Sequence, residues 1–177
     1  MCTLFTFSLL LRIGEALRGR WRDLLLPPRG GLHQEGSFYI PRSKTGRDQY
    51  VPITSPSMIE ILRRFKERCS PVSPDDFIFS FGYSFFRKVF TLAIEVLLLP
   101  IGIWRTHSLR RGGATKLLMD THSPEYCAVV GRWKSLTSCR RYLRAGEALT
   151  ARLLASLAAK TLGRVAALQM SIDQLFD

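Results

Sequence analysis

Thr106-His107-Ser108-Leu109-Arg110-Arg111-Gly112-Gly113-Ala114-Thr115, with Gly131-Arg132-Trp133 and Arg140-Arg141-Tyr142-Leu143-Arg144 behind it, is the stretch on which the reading of this chain turns. The first segment reads as a helix over 106–119, and on a helix His107 and Arg110, three positions apart, share a face. Between residues 101 and 144 nine basic side chains stand against two acidic ones, whereas from Ala145 onward three face three. A cationic zone this concentrated points to a polyanionic partner, with nucleic acid as the first candidate. A merely solvated basic face is the plainer alternative. Gly112 and Gly113 each cost a helix about 1 kcal/mol relative to Ala. Either another backbone approaches closely there or the helix breaks.

The rest of the composition narrows the class. The chain has 177 residues and a net charge of +12, with 46% hydrophobic and 23% charged residues, which is ordinary globular make-up. The length suits one domain with a real core. No apolar run approaches the roughly 18 residues that cross a bilayer, so no membrane partner is expected. Residues Met1 to Leu11 are apolar but lack a basic leading region and are ended by Arg12, unlike a secretory signal. Cys2, Cys69, Cys127 and Cys139 lie far apart with no CxxC, so neither a disulfide framework nor a metal site is expected. These features suit an intracellular, DNA-associated protein that needs no cofactor.

Periodicity predicts a helix over 3–20, apolar at Leu4, Phe7, Leu10, Leu11 and Leu17, and then a short strand from Trp21 to Leu26 closed by Pro27-Pro28. Ser37 to Arg42 and Asp48 to Ile53 read as two strands of a hairpin turning around Ser43-Lys44-Thr45-Gly46-Arg47. Helices are predicted from Met58 to Arg68, from Phe85 to Leu99, and from Ser123-Pro124 to Gly131, where Pro opens and Gly closes the element. A last one begins at Ser138 and carries Tyr142. The expected fold class is α+β, mostly helical, with a small antiparallel β-sheet near the N-terminus. Tyr126 reads as buried beside Ala128, Val129 and Val130, and His33 and His122 match no functional pattern.

The ordered series Leu11-Arg12-Ile13-Gly14-Glu15-Ala16-Leu17, Lys44 in the hairpin, His107-Ser108-Leu109-Arg110, Gly131-Arg132-Trp133 and Tyr142 nine residues beyond the Trp resembles the catalytic domain of the tyrosine recombinases, the phage-integrase-like DNA breaking-and-rejoining enzymes. The resemblance runs from about Leu9 to Leu143. It implies that family's catalytic fold and double-stranded DNA as partner. It also implies metal-free transesterification through a 3′-phosphotyrosine.

The resemblance assigns the catalytic set to Arg12, Lys44, His107, Arg110, Trp133 and Tyr142. Elementary chemistry explains the residue types. A phosphodiester repels nucleophiles and gathers more charge in its transition state, which side chains must stabilise where no metal does. Arginine forks donate paired hydrogen bonds to phosphate oxygens and stay protonated, which suits Arg12 and Arg110 as a clamp. A phenol with a reference pKa near 10 is almost wholly protonated at neutral pH, so Tyr142 needs a proton acceptor such as His107. Lys44 would protonate the leaving 5′ oxygen. An indole N–H donates but cannot exchange protons, so Trp133 is assigned binding and packing. Glu15 is expected to orient the Arg12 region. Arg42, Arg47, Arg111, Arg132, Lys134, Arg140 and Arg141 are the expected DNA-contacting residues.

Residues 1–148 thus read as the catalytic domain and 149–177 as an amphipathic helical tail, apolar at Leu149, Leu153, Leu157, Val165, Leu168, Ile172 and Leu175. The tail is expected to pack on its own domain or, as in the resembled family, on a neighbouring protomer of a homo-oligomer. With its first catalytic arginine at position 12 the chain is expected to lack the family's preceding DNA-gripping domain, either as a truncated mobile-element copy or gene fragment or as a chain that works with the catalytic half alone. A rival reading is a basic nucleic-acid-binding remnant of this fold that no longer cuts.

Overall fold

The computed structural model describes residues 1–31, 34–44, 46–100 and 102–143. Thr45, His33, Arg144 and the predicted tail over 149–177 lie outside them. Seven helices are described: α1 Cys2–Ser8, α2 Ile13–Arg18, α3 Pro56–Cys69, α4 Tyr83–Val96, α5 Thr106–Thr121, α6 Pro124–Val130 and α7 Leu136–Arg140. Three short strands, β1 Leu24–Leu25, β2 Gly36–Arg42 and β3 Arg47–Ile53, form an antiparallel sheet in the order β1-β2-β3. The α+β class, mostly helical with the sheet towards the front, stands. No described helix is long and apolar enough to cross a membrane.

The hairpin forms because alternate residues must be buried. Phe38 and Ile40 on β2, with Val51 and Ile53 on β3, turn inward, and Phe38 pairs with Val51 across the ladder. Phe5 of α1 meets Phe38 edge-on with ring centroids 5.0 Å apart. Phe5 also lies 5.8 Å from Phe79, which is stacked 5.8 Å from Phe65. This aromatic core, with Trp21, Leu62 and Phe86, is the floor on which α1, α2, α3 and α4 rest. Helix starts follow local chemistry: Ser55, Ser123 and Ser135 each accept a hydrogen bond from a first-turn backbone N–H, and Pro56 and Pro124 sit where the missing donor costs nothing.

Three elements differ from expectation. The single helix over 3–20 is two, α1 and α2, because Leu10 takes left-handed backbone angles (φ 49°) and reverses the chain between them. Periodicity continues through the break, since both pieces bury the same apolar side. The strand at Trp21–Leu26 shrinks to Leu24–Leu25, because Trp21–Asp23 form a single 3-10 turn whose start is held by the Asp23 carboxylate accepting from the Arg20 N–H at 2.9 Å. The last described helix ends at Arg140, so Tyr142 lies in the turn after α7. Tyr126, expected inside, is 41% exposed, because short α6 buries Cys127 instead.

The glycine pair has its explanation in packing. At Gly113 a Cβ would overlap the carbonyl oxygen of Phe7 and lie 2.7 Å from a Leu10 methyl. α1 therefore crosses α5 at backbone contact, and α5 stays continuous through both glycines.

Candidate active site

The break at Leu10 creates the site. Leaving the helix there frees the Leu10 carbonyl, and two guanidinium groups converge on it. Arg110 donates through Nη1, and Arg132 donates through Nη2 at 3.3 Å. Arg110 also donates through Nη2 to the Gly131 carbonyl. It is 1% exposed, and so ties the α1–α2 corner, α5 and the end of α6 together. Burial, followed by the nearby Arg12 and Arg132 charges, lowers the Arg110 pKa to about 10, which still leaves it cationic at neutral pH.

Gly131-Arg132-Trp133 is a tight reversal. Arg132 is left-handed (φ 57°), and the Trp133 N–H reaches back to the Ala128 carbonyl at 2.9 Å. The Trp133 ring folds into the space that any Cβ at 131 would need, which is why the residue is glycine. Its indole then lies against the Arg110 guanidinium, 4.6 Å from carbon to ring centroid, a cation–π contact in a desolvated setting.

Tyr142 completes the cluster. Its ring centroid is 5.1 Å from Trp133 and 5.2 Å from His107, the latter edge-on. Its backbone N–H donates to Cys139 at 2.8 Å, and its carbonyl accepts from the Thr115 hydroxyl at 3.5 Å. The chain is thus turned back over α5. His107 opens to solvent on one side, but partial burial, then Arg110, Arg111 and Arg12, lower its pKa below the ordinary 6.5. At neutral pH it is an unprotonated imidazole beside a phenol.

Arg12 stands at the start of α2. Its Nη1 donates to Glu15 Oε1 at 2.8 Å, its backbone N–H donates to Oε2 at 2.8 Å, and about a quarter of its side chain meets solvent. Glu15 is buried and also pairs with Arg132 at 2.9 Å. Burial alone would raise its pKa, but Arg132, the hydrogen bonds from Arg12 and the Arg12 charge outweigh it, and the net shift is downward.

The structure thus gathers His107, Arg110, Trp133 and Tyr142 by direct contact, and joins Arg12 to them through Glu15 and Arg132. Lys44 is exposed at the hairpin turn and makes no contact with this cluster among the described residues. Arg42 and Arg47 face each other across the same turn, both exposed. Lys134, Arg140 and Arg141 are exposed around the cluster, and Arg111 is half-buried with its Nε enclosed and without a hydrogen-bond partner. Arg132 differs from expectation. Its side chain is 7% exposed, with Nη2 on Glu15 and the Leu10 carbonyl and with Nε and Nη1 enclosed without hydrogen-bond partners, so it stands as an internal brace and not on the exposed surface. The Leu10 and Gly131 carbonyls, the atoms on which the arginines hang, carry no side-chain signal. Among the described residues no group of three or more His, Cys, Asp or Glu side chains is placed to hold a metal ion.

No protein-family model matches the sequence, and no curated protein matches it. Solved structures do match by shape. XerH site-specific recombinase bound to difH substrate, in a pre-cleavage complex, superposes with TM-score 0.62 at 20% identity, covering 84% of this chain and 43% of that one. The post-cleavage complex with palindromic difH substrate gives TM-score 0.65 at 20% identity, covering 81% and 40%. XerA recombinase gives 0.61 at 15% identity, covering 87% and 55%. The chain spans between 40% and 55% of the length of these proteins. Its fold is that of the tyrosine recombinases.

Proposed function

We propose that this domain cleaves and rejoins DNA strands without a metal, by transesterification through Tyr142. The observation that carries the proposal is the contact of the Tyr142 ring with both His107 and Trp133, the latter itself stacked on the buried Arg110 cation. In the first step the Tyr142 Oη attacks phosphorus while its proton passes to His107. The bond from phosphorus to the 5′ oxygen breaks, leaving a 3′-phosphotyrosyl ester and a 5′ hydroxyl. Lys44 supplies the leaving oxygen's proton. Attack by a 5′ hydroxyl on the ester reverses these steps and restores the phenol.

The two clamp arginines divide the work. Arg12 has one nitrogen engaged and part of its guanidinium open, so it binds a phosphate oxygen directly. Arg110 is largely committed to carbonyls and contributes positive charge from beneath, in a low-dielectric setting where charge counts for more. The exposed Lys134, Arg140, Arg141, Arg42 and Arg47 supply backbone contacts to double-stranded DNA. Of the solved structures of similar shape, two are complexes of the XerH site-specific recombinase with difH substrates and one is XerA recombinase. Site-specific recombination or integration, as in a phage or another mobile element, is the use this chemistry would serve.

The test is covalent capture. The full chain is incubated with end-labelled nicked duplexes pooled over random sequence, then resolved by denaturing electrophoresis. A protein–DNA adduct that disappears in Tyr142→Phe is the expected result. Salt-sensitive binding with no adduct assigns the chain to the non-cutting remnant, and an adduct that persists in Tyr142→Phe places the nucleophile elsewhere.

A further inference from the structure

Beside the catalytic cluster, between α4 and the loop that leads into α5, lies a second cavity of about 460 Å³ whose lining includes His107. Its size is within the roughly 300–1,000 Å³ of small-molecule pockets. The floor is apolar, made by Phe90 and the buried Ile94. The rim carries two large rings, Tyr83 at 49% and Trp104 at 42% exposure. Arg87, one helical turn beyond Tyr83, and Arg105, next to Trp104, are both exposed, and no carboxylate lines the cavity.

Each feature restricts the occupant. Two guanidinium groups without an acidic partner among the described residues call for an anion. Aromatic rings left half in water at the mouth of an apolar cavity call for a planar group with a π face. A nucleotide has both: a base that stacks and a phosphate that pairs with arginine. An acidic peptide would satisfy the arginines and leave the rings and floor wet. Because His107 lines this cavity and also meets the Tyr142 ring, 5.2 Å between centroids, a strand whose phosphate reaches Tyr142 passes beside it.

We infer that the Tyr83–Trp104 cavity receives one unstacked nucleotide of the DNA strand, its base against Trp104 and Tyr83 and its phosphate on Arg87 and Arg105. The inference rests on the strand-cleavage reading only in placing that nucleotide next to the reacting phosphate. Binding itself requires no chemistry at Tyr142. A base must leave its stack to enter, so unpaired DNA is the preferred form and the sequence beside the cleavage point is sensed by how readily it unstacks.

The experiment uses the full chain with a short fluorescein-labelled oligothymidylate and a labelled duplex of equal length, followed by fluorescence anisotropy across a salt series. Trp104→Ala is expected to weaken single-strand binding roughly tenfold while changing duplex binding much less, and Trp104→Phe to keep most of the affinity. Tyr83→Ala, on a different element, is expected to act in the same direction, with far-UV circular dichroism confirming that each variant is folded. Arg87→Ala should lower the salt slope for the single strand by about 0.7. Unchanged single-strand affinity in Trp104→Ala or Tyr83→Ala, or an equal loss on duplex, overturns the inference. Its fate is separable from that of strand cleavage: an adduct with no Trp104 dependence removes the pocket alone, and Trp104-dependent binding with no adduct removes the cleavage alone.

Discussion

Arg132 meets Glu15 at 2.9 Å across 117 residues of chain, with both side chains nearly closed to water. The pair joins the start of α2, where Arg12 sits, to the turn that presents Trp133. Losing Glu15 strands the Arg132 charge in the interior, which typically costs about 3–5 kcal/mol, whereas losing Arg132 leaves Glu15 paired with Arg12. Glu15→Gln should therefore destabilise strongly in urea unfolding, and adding Arg132→Met to it should recover part of the loss. Equal destabilisation in the single and double variants would show that the pair is not coupled. Because the folded Glu15 carboxyl titrates below its ordinary 4.5, its contribution is fully present above that value and is lost as pH falls through the lower folded one.

His107 gives the opposite linkage. Its folded pKa lies below 6.5, so the unfolded chain takes up a proton first as pH falls. Stability should decline as pH drops below 6.5 and level off beneath the folded pKa. His107→Gln should remove that part of the pH dependence, as read by thermal unfolding at stepped pH. In adduct formation the same substitution should lower the yield at neutral pH and flatten the acid limb of the wild-type profile.

Gly113→Ala sets two rules against each other. Helix propensity alone forecasts a gain of about 1 kcal/mol. The contact with Phe7 and Leu10 forecasts a loss of about 1–3 kcal/mol, because backbone cannot step aside as a flexible side chain can. The loss should win. A raised melting temperature in Gly113→Ala would mean that α1 is not seated on α5 as described.

Thiol chemistry offers a check on packing. Cys2, Cys127 and Cys139 are buried, and burial pushes the Cys2 and Cys139 thiols up to about 11. Cys69 is exposed at the end of α3. A disulfide reagent at mildly alkaline pH should therefore titrate one thiol rapidly and the other three only as the protein unfolds. Rapid reaction of two or more would contradict the packing that encloses Cys2 on α1, Cys127 on α6 and Cys139 on α7.

Much of this architecture is legible in the residues, and the exceptions have physical causes. The hairpin shows because alternating burial leaves a two-residue period, and α6 shows because Ser123-Pro124 and Gly131 punctuate it. The corner at Leu10 does not show, since a leucine in left-handed conformation has no signature and the apolar stripe runs unbroken across it. Among the candidate site residues, the family resemblance singles out His107, Arg110, Trp133 and Tyr142, and they are neighbours in space. Arg132 misled because charge in a sequence carries no direction, and only the fold reveals that it faces Glu15. The Tyr83–Trp104 cavity does not show in the sequence, because its walls come from two segments, α4 and the loop before α5, that only the fold brings together.

The Leu10 carbonyl, shared by Arg110 and Arg132, has an evolutionary corollary. A peptide oxygen is supplied by whichever amino acid occupies the position, so the anchorage of those guanidinium groups does not depend on the identity of residue 10, provided the corner is kept. Mutational drift can rewrite the surrounding hydrophobic lining without dislodging the cations.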